Sequence, residues 1–352
     1  MKILLSGGGT MGSVSPLVAT YQEIKKSRPE TEFLFVGTSD GPEKAVIESY
    51  KIPFRAIASG KWRRYFDLRN LIDPFKVVWG SIQAYFILGK FRPNAVMIAG
   101  AFVGVPVAWA AWLRRIPVLI HQQDIIPGLA NKLMANIATK ISVSFEISLK
   151  DFFPKKTVFT GNAVRREFYD CDPRASGQFF NLKEGLPTLL ILGGGTGAIK
   201  INEIVEKSLA DLLQFCQIIH ITGKGKKIDV DAEGYHQFEF LASGMTEAMC
   251  SADLIVTRGG LSTASESIIM AKPTVIIPMP STHQEFNAQY FQKSNAAYVL
   301  SQESLTPEMF ISVIKDLLYN EGQLQNLSRN IAKMMPHDGA ARIAALLLEI
   351  SK

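Results

Sequence analysis

Two segments of this chain repeat one design, and that repeat constrains the fold most strongly. Each has a short apolar run, a cluster of glycines and then a helical pattern, the first over residues 3–13 and the second over residues 189–198. Glycines let a backbone turn sharply and approach a ligand closely, and the helix that follows presents free N–H groups to an anion. Since the segments lie about half of the 352-residue chain apart, we expect two domains of one design, each with an anion-binding loop.

Further apolar runs alternate with helical stretches, which is typical of βαβ units and parallel sheets. The predicted fold class is therefore α/β, with two Rossmann-like domains. The predicted strands cover residues 31–37, 116–121, 217–221, 252–256 and 273–278. A turn-rich stretch over 160–185 indicates the boundary. We predict an N-terminal domain of residues 1–165, a C-terminal domain of 166–339 and a final helix within 340–352.

Composition narrows the kind of protein and its partners. Hydrophobic residues make up 47% of the chain and charged residues 20%, which is typical of a globular protein. The net charge of +6 fits a negatively charged partner: nucleic acid, a phosphate-rich ligand or an anionic membrane. The apolar stretch at the start is too short for a signal peptide. The cysteines, Cys171, Cys216 and Cys250, form no CxxC pair, so we expect no disulfide framework and a reducing compartment.

Residues 94–113 carry no charge, and 20 residues are long enough to cross a bilayer. However, Gly100, Gly104 and Pro106 interrupt this run. We therefore predict a buried strand over 95–99, a glycine turn and a helix from about Pro106.

The first glycine cluster alone is a weak signal, because it would suit a dinucleotide as well as a nucleotide sugar. Residues 7–12 meet the G-x-G-x-x-G pattern of dehydrogenases loosely. That pattern needs an acidic residue at the end of the next strand to hold the ribose. Glu30 and Glu32 fall close by, but neither stands at the end of the predicted strand. This disfavours a dehydrogenase.

Nearly end to end, the chain resembles the MurG family. The motifs that carry the likeness are Gly8-Gly9-Thr10 with Pro16, His121-Gln122-Gln123-Asp124 with Pro127-Gly128 and Asn131-Lys132, Gly161-Asn162-Ala163-Val164-Arg165, Gly193-Gly194-Gly195-Thr196-Gly197-Ala198, Gly223-Lys224-Gly225, Arg258-Gly259-Gly260 with Ser265-Glu266, and His283-Gln284 with Asn287-Ala288. The family consists of inverting glycosyltransferases of the GT-B fold, in which two Rossmann-like domains face each other across a cleft. The resemblance implies transfer of N-acetylglucosamine from UDP onto lipid I in peptidoglycan synthesis. It also implies that the final helix packs back on the N-terminal domain.

On this resemblance the second domain binds the UDP-sugar. The leaving diphosphate gains charge, which backbone N–H groups, helix N-termini and a guanidinium can stabilise, so we expect no metal and no other cofactor. Glu266 is expected to accept both ribose hydroxyls of UDP, although residues 263–266 also fit a helix capping box. The predicted donor-binding residues are Arg165, Gly194, Gly195, Thr196, Gly197, Arg258, Gly260, Thr263, Glu266, His283, Gln284 and Asn287. Structural turns, a solvated loop at 283–287 and a plain surface arginine are the alternatives.

The first domain departs from the family pattern where the glycosyl acceptor is expected. Met11 and Ser13 replace a glycine and a histidine of the first loop, and Gln122 replaces the glutamate of His-Glu-Gln-Asn. Neither serine nor glutamine can act as a base near neutral pH. Asp124 is therefore the candidate general base, with a capping or turn role as its alternative. The candidate catalytic residues are Asp124, His121 (the second choice as base) and Ser13, and the predicted acceptor-binding residues are Thr10, Met11, Gly12, Ser13, Phe102, Gln122, Gln123 and Asn131.

These departures leave three functions open. The chain is an enzyme of the family with a rearranged base, a related transferase with a different lipid-linked or saccharide acceptor, or a UDP-sugar-binding homologue that has lost catalysis.

A basic and aromatic segment over residues 61–92 carries seven Lys or Arg, two Asp and eight aromatic residues. That combination suits an anionic membrane interface or, less well, single-stranded nucleic acid. The family docks by an apolar patch ringed with basic residues, so we expect a peripheral protein on the cytoplasmic face of the cell membrane and no nucleic-acid partner. The predicted membrane residues are Trp62, Arg63, Arg64, Tyr65, Phe66, Phe75 and Trp79. A core stripe is the alternative for residues 75–86, which recur at helical spacing.

Overall fold

A computed structural model describes residues 1–60, 69–194, 197–241 and 243–352, with the side chains of 69–72 left out. These residues form two compact units. The first unit consists of Met1–Arg165 and Pro336–Lys352, and the second of Arg166–Met335. The N-terminal domain was predicted to end at the same residue, Arg165. The final segment joins the first unit from Pro336 rather than from residue 340.

The described part of the first unit contains a sheet of seven parallel strands. They are β1 (Lys2–Ser6), β2 (Glu32–Gly37), β3 (Phe54–Ala56), β4 (Ala95–Ile98), β5 (Val118–Gln122), β6 (Lys140–Val143) and β7 (Thr157–Phe159). Their order across the sheet is β3-β2-β1-β4-β5-β6-β7. Successive strands are therefore added on one side of β1 up to β3 and on its other side from β4 onward, so the strand order reverses between β1 and β4.

Helices cover both faces of this sheet. They are α1 (Ser15–Ser27), α2 (Glu43–Ser49), α3 (Arg69–Phe91), α4 (Gly104–Leu113) and α5 (Leu129–Ala135). Side chains alternate between the faces of a strand, so Leu4 packs in a core cluster with residues of α3 and α4. Ile3 and Leu5 instead pack in a cluster with residues of α1. Burial on both faces explains why the strands are almost wholly apolar.

The second unit repeats this plan. Its described strands are β8 (Thr188–Leu192), β9 (Gln217–Ile221), β10 (Tyr235–Phe238), β11 (Leu254–Thr257), β12 (Thr274–Ile276) and β13 (Tyr298–Val299), and its helices are α6 (Pro173–Phe179), α7 (Ile199–Leu212), α8 (Met245–Ser251), α9 (Leu261–Ile269), α10 (His283–Lys293), α11 (Pro307–Tyr319) and α12 (Glu321–Ile331). The parallel strands run in the order β10-β9-β8-β11-β12-β13. The reversal here lies between β8 and β11.

The last helix, α13 (Gly339–Ile350), returns to the first unit. It packs against α1, and its buried residues Ile343 and Leu347 share a core cluster with Leu17. The first unit is therefore built from two separate stretches of sequence.

The predicted α/β fold class is confirmed, and so are the five predicted strands. They correspond to β2, β5, β9, β11 and β12, with ends that differ from the predicted ones by at most two residues. The uncharged run over residues 94–113 is β4, a glycine turn and α4, which begins at Gly104 instead of about Pro106. Among the described residues, no helix has the length and apolar character needed to cross a membrane.

One prediction about the cysteines is wrong. Cys171 and Cys250 form a disulfide across 79 residues of sequence. Cys171 stands just before α6 and Cys250 lies in α8, and these two helices pack against each other. A pairing made by helix packing leaves no spacing pattern in the sequence, so the search for CxxC could not detect it. Cys216 is a buried free thiol.

Candidate functional site

Each sheet offers a ligand position where its strand order reverses. In open α/β sheets, ligands bind beyond the carboxyl ends of the strands at this point. In the first unit, β1 and β4 flank it, and the predicted acceptor-binding residues lie at the ends of β1, β4 and the adjoining β5 or follow them. In the second unit, β8 and β11 flank it, and they lead into the predicted donor loops. The fold thus gathers the described residues of each set, Arg165 apart, around the reversal point of one unit.

The first glycine loop (residues 7–12) is held by two side chains. The Gly8 N–H donates to the Ser13 hydroxyl at 3.0 Å, and that hydroxyl lies 3.1 Å from the Gly8 carbonyl oxygen. The Gly9 N–H donates to the carboxylate of Glu43 at 3.1 Å. The first loop was expected to bind an anion, but these two amides already donate to protein oxygens. Glu43 was missed, because no local pattern distinguishes it from the other acidic residues.

Within the first glycine loop, exposure separates shaping residues from accessible ones. Ser13 is buried, and the hydrogen bonds of its hydroxyl are all with backbone atoms of the loop, on Gly8 and Thr10. Thr10 is exposed, and Met11 and Gly12 are half-buried. Ser13 therefore shapes the loop instead of reaching a substrate, which corrects its candidate catalytic and acceptor-binding roles.

His121 lies in the core of the first unit. Its side chain is fully buried, with Nδ1 2.8 Å from the Ser142 hydroxyl and Nε2 2.8 Å from the Asn162 side-chain oxygen. Burial lowers the pKa of His121 to about 4, although the hydrogen bonds to Asn162 and Ser142 act in the opposite direction. A buried, neutral ring tied to β6 and to the segment after β7 does not meet a substrate hydroxyl. His121 is therefore a structural residue and not the second candidate base.

Gln122 and Asn131 are also buried, and they shape the loop that follows β5. The Gln122 amide donates to the backbone oxygens of Asp124 at 2.6 Å and Ile126 at 3.3 Å. The Asn131 amide in turn donates to the Gln122 side-chain oxygen. These contacts replace the acceptor contacts predicted for both residues and fix the backbone that carries Asp124.

The accessible residues among the predicted catalytic and acceptor-binding ones are Thr10, Met11, Gly12, Phe102, Gln123 and Asp124. Phe102, Gln123 and Asp124 are all half-buried. The Gln123 amide lies 3.4 Å from the backbone oxygen of Ala99, just beyond β4. The loops after β4 and β5 are thereby joined, with Asp124 next to the junction.

In the second unit, the second glycine loop (residues 193–197) joins β8 to α7. Gly195 and Thr196 lie outside the described residues. Gly194 has a φ of +83°, and a Cβ placed there would meet open space. A Cβ on Gly197 would collide with the Thr222 carbonyl oxygen, so the loop lies against the end of β9. Helix α7 begins without a side-chain cap at Ala198, which leaves its N–H groups directed at the loop.

The loop after β11 has an open helix N-terminus and a buried arginine. Gly260 is the N-cap of α9, with no side-chain cap, and a Cβ there would meet open space. Arg258 is buried and donates to the Ile277 carbonyl oxygen at 3.3 Å and to Gln302. Burial lowers its pKa. Arg258 thus braces the strand ends, while the N-terminus of α9 is open to a ligand.

The capping-box alternative for Glu266 is wrong. Because Gly260 is the N-cap, Glu266 is the sixth residue of α9 and Thr263 the third. A capping box needs its acidic residue in the first turn. Glu266 is buried at 5% exposure and Thr263 is half-buried.

The start of α10 is tied to the loop before α9. The buried Asn287 side chain donates to the Gly259 carbonyl oxygen at 3.2 Å. Gln284 accepts from the Met279 N–H at 3.0 Å. His283 is the first residue of the helix and is exposed. Of these three predicted donor-binding residues, His283 is the most accessible.

Arg165, a further predicted donor-binding residue, ends the first of the two stretches that form the first unit. It is half-buried and follows four buried residues, 161–164. One of these, Asn162, is the partner of His121, so the backbone that leads to Arg165 is anchored in the core.

The second unit has its own buried histidine. The His220 Nδ1 lies 2.9 Å from the Tyr235 hydroxyl and its Nε2 lies 3.2 Å from the Asn202 side-chain oxygen. Burial lowers the pKa of His220 to about 4. Across the part of the chain that the structure describes, no three His, Cys, Asp or Glu side chains cluster as a metal ion would require.

An exposed apolar face covers α3 and the neighbouring α4. Phe75 is 76% exposed, Trp79 57% and Phe86 68%. The apolar face consists of Phe75, Val78, Trp79, Ile82 and Phe86 on α3, with Trp109, Trp112 and Leu113 on α4. A core stripe is therefore the wrong interpretation of these α3 residues. The predicted residues Trp62, Arg63, Arg64, Tyr65 and Phe66 lie outside the described residues.

The α4 part of the apolar face was not predicted. Its tryptophans stand in the uncharged run that was interpreted as a buried strand and helix. Arg114, at the end of α4, places its guanidinium 3.8 Å from the centre of the Tyr85 ring and donates to the Tyr85 carbonyl oxygen. A cation thus stands beside the apolar face at the point where the two helices meet.

Both units match models of known domains. Residues 3–143 match the glycosyltransferase family 28 N-terminal domain, and residues 188–343 match the glycosyltransferase family 28 C-terminal domain. The chain is 39% identical over 322 residues to the UDP-N-acetylglucosamine–N-acetylmuramyl-(pentapeptide) pyrophosphoryl-undecaprenol N-acetylglucosamine transferase of Clostridium kluyveri, covering 90% of this chain and 91% of the relative. It is 36% identical over 357 residues to transferase 3 of the same name from Bacillus thuringiensis, covering 100% and 99%.

Solved structures share the fold. MurG of Acinetobacter baumannii superimposes with a TM-score of 0.73 at 22% identity, over 99% of both chains. The UDP-GlcNAc 2-epimerase of Neisseria meningitidis, bound to UDP-GlcNAc, also gives 0.73, at 13% identity over 99% and 100%. At these identities the likeness concerns the fold.

Proposed function

Because the chain belongs to glycosyltransferase family 28 and, within it, to the MurG family, we propose that it transfers N-acetylglucosamine from UDP-N-acetylglucosamine to a muramyl peptide carried on a polyprenyl diphosphate. This reaction converts lipid I to lipid II in peptidoglycan synthesis. The observation that carries the proposal is identity of 36–39% to transferases of that name over 90–100% of the chain. The two parallel-sheet units are those of the GT-B fold.

The fold alone would not select this reaction, because one fold hosts many chemistries and an epimerase shares it here. The departures at Met11, Ser13 and Gln122 keep two alternatives in view. These are transfer to a different lipid-linked or saccharide acceptor, and UDP-sugar binding without catalysis.

The second unit binds the donor. The open N-termini of α7 and α9 and the second glycine loop lie at the reversal between β8 and β11, where helix dipoles and N–H groups stabilise a diphosphate. Glu266 accepts the ribose hydroxyls, as a carboxylate with two oxygens can do. His283 stands at the accessible start of α10.

In the transfer step, a hydroxyl of the muramyl acceptor attacks the anomeric carbon from the face opposite UDP. The new carbon–oxygen bond forms while the bond to the diphosphate breaks, so the configuration inverts and the electron pair leaves on UDP. Asp124 takes the proton of the attacking hydroxyl. Its backbone is held by Gln122, which favours a fixed position for the base.

The reaction needs no metal ion, since backbone amides and helix N-termini can stabilise the charge that develops on UDP. The rate of transfer should be the same for untreated enzyme, for enzyme treated with EDTA, and for treated enzyme that is then supplied with Mg²⁺. A rate that falls with EDTA and returns with Mg²⁺ would contradict this part of the proposal.

The apolar face of α3 and α4 contacts the cytoplasmic side of the cell membrane. Exposed Trp and Phe side chains with adjacent basic residues suit the boundary between headgroups and acyl chains. The protein would then bind its lipid-linked acceptor at the membrane surface, where the diphosphate of the acceptor lies.

Donor binding is tested by thermal unfolding. UDP should raise the melting temperature of the protein, because a ligand that binds only the native state stabilises it. Glu266→Ala should remove this shift, and the exposed Glu303→Ala should keep it. Stabilisation by NADH but not by UDP would overturn the assignment.

Transfer itself is tested with radiolabelled UDP-N-acetylglucosamine and a set of acceptors. Incorporation into a lipid I analogue supports the proposal. Incorporation only into another lipid-linked or free saccharide would identify a related transferase, and UDP binding without any incorporation would identify a binding homologue.

A further inference from the structure

Glu43, the first residue of α2, is a completely buried carboxylate that the transfer step does not use. Buried carboxylates require hydrogen-bond partners, because leaving water is costly for a charged group. Glu43 has three donors. The Gly9 N–H lies 3.1 Å from one carboxylate oxygen, and the Thr38 N–H lies 2.8 Å from the other, which also accepts from the Thr38 hydroxyl.

Glycines make the space that this side chain fills. A Cβ on Gly8 or Gly41 would collide with the Glu43 carboxylate, and one on Gly37 would lie 3.2 Å from its Cγ. These glycines belong to the first glycine loop, to the end of β2 and to the segment before α2. The carboxylate therefore joins the end of β2 to the loop after β1.

We propose that Glu43 is a positioning residue, which fixes the first glycine loop in the conformation that receives the lipid-linked acceptor. The inference rests on the proposed function. Gly9 is bound to Glu43, and Gly8 to Ser13, so the loop is anchored at two successive amides. The residue that follows them, Thr10, is exposed and has its backbone set by this anchoring.

Replacement of Glu43 by glutamine would break one of the hydrogen bonds that the carboxylate accepts from backbone amides. Both Glu43 oxygens accept from a backbone N–H, one from Gly9 and the other from Thr38. A glutamine amide has one oxygen and one NH₂ group. In either orientation its NH₂ group faces a backbone N–H, so one amide loses its partner while the volume of the side chain stays the same.

The test compares the full-length wild-type chain with Glu43→Gln, Thr38→Val and Glu48→Gln. Thr38→Val removes only the hydroxyl contact, and Glu48 is an exposed residue of the same helix. Transfer is measured while the lipid I analogue and UDP-N-acetylglucosamine are varied in turn. Glu43→Gln should raise the KM for the lipid I analogue by about tenfold or more, because misplaced binding groups lose affinity steeply, and leave the KM for UDP-N-acetylglucosamine unchanged. Thr38→Val should change in the same direction by less, and Glu48→Gln should match the wild type.

A purely structural role would lower the active fraction, which decreases kcat and leaves both KM values unchanged; that result would overturn the inference.

Hydrogen exchange of the peptide over residues 5–15 gives a readout that does not depend on activity. Exchange should be faster in Glu43→Gln than in the wild type, and equal exchange would refute the anchoring. If the wild type transfers no sugar but hydrogen exchange is still faster in Glu43→Gln than in the wild type, the proposed function is refuted and the anchoring by Glu43 is not.

Discussion

Burial divides the predicted residues of the first unit into those that shape loops and those that can meet a substrate. Ser13, His121 and Gln122 are buried with their polar atoms bound to protein, whereas Asp124 is half-buried. Both roles place polar residues at or just beyond the ends of strands, so a motif in the sequence does not distinguish them. The candidates for direct chemistry therefore reduce to Asp124.

Asp124→Asn should lower kcat for transfer by about 10²- to 10⁴-fold, since a general base contributes on that order, while UDP still stabilises the protein. The matched control is Asp151→Asn, an exposed acid of the same unit, which should keep wild-type activity. The measurement is radiolabel incorporation together with the melting shift caused by UDP. Full activity of Asp124→Asn would rule out its role as base.

The second unit shows how far single residues could be assigned from sequence. The motif placed Glu266 on a helix, but its interpretation depended on where α9 begins. Only the structure puts the N-cap at Gly260 and removes the capping alternative. Glu43 was beyond reach, because its contacts with Gly9 and Thr38 depend on how β1, β2 and α2 pack.

Among the helices, α3 and α4 present the largest contrast between pattern and structure. Helical spacing identified the stripe that begins at Phe75, but a core helix and a membrane-facing helix have the same apolar period. Exposure excludes the core role for these α3 residues, and it adds Trp109 and Trp112 from α4 to the apolar face. The strands were predictable because burial on both faces leaves each a short apolar run.

Phe75→Ser combined with Phe86→Ser should weaken binding to vesicles that contain anionic lipid. Each large apolar side chain contributes about 1.5–3 kcal/mol when fully buried, so the loss should be at least about tenfold. Phe179→Ser, which alters an exposed aromatic residue of the second unit, is the control. Cosedimentation measures the bound fraction, and equal binding of all three proteins would exclude the apolar face as the contact.

The disulfide between the α6 and α8 regions can be checked by counting thiols. Protein purified without reductant should show no rapidly reacting thiol, because burial raises the pKa of Cys216 to about 12 and the thiolate is the reactive form. After unfolding it should show one thiol, and after reduction three. Cys216→Ser should show none before reduction. Three thiols in the unfolded, unreduced protein would mean that Cys171 and Cys250 are not joined.

Across the whole molecule, each unit carries one completely buried histidine, which links its stability to pH. His121 and His220 each have a pKa of about 4 in the folded state, below the ordinary value of about 6.5. Between these values the unfolded chain binds a proton that the folded unit does not. The contribution of these neutral histidines to stability is therefore fully present well above pH 6.5 and is lost as the pH falls toward 4.

The first unit allows this to be measured separately, because all four tryptophans, Trp62, Trp79, Trp109 and Trp112, belong to it. Urea unfolding followed by tryptophan fluorescence should give a free energy that decreases from pH 7 to pH 5. His121 should account for about 2 kcal/mol of that decrease, the share expected from the two pKa values. His121→Gln should lose this share and the exposed His337→Gln should keep it. The same pH dependence in all three proteins would contradict the assignment.

Helix α13 has a consequence for the order in which the chain can fold during synthesis. The core that contains Leu17 is completed only by Ile343 and Leu347, which leave the ribosome after the entire second unit. Nascent chains that stop before residue 339 therefore expose an apolar surface on α1, and chaperones recognise such surfaces. The unit that is translated first is thus the last to be finished.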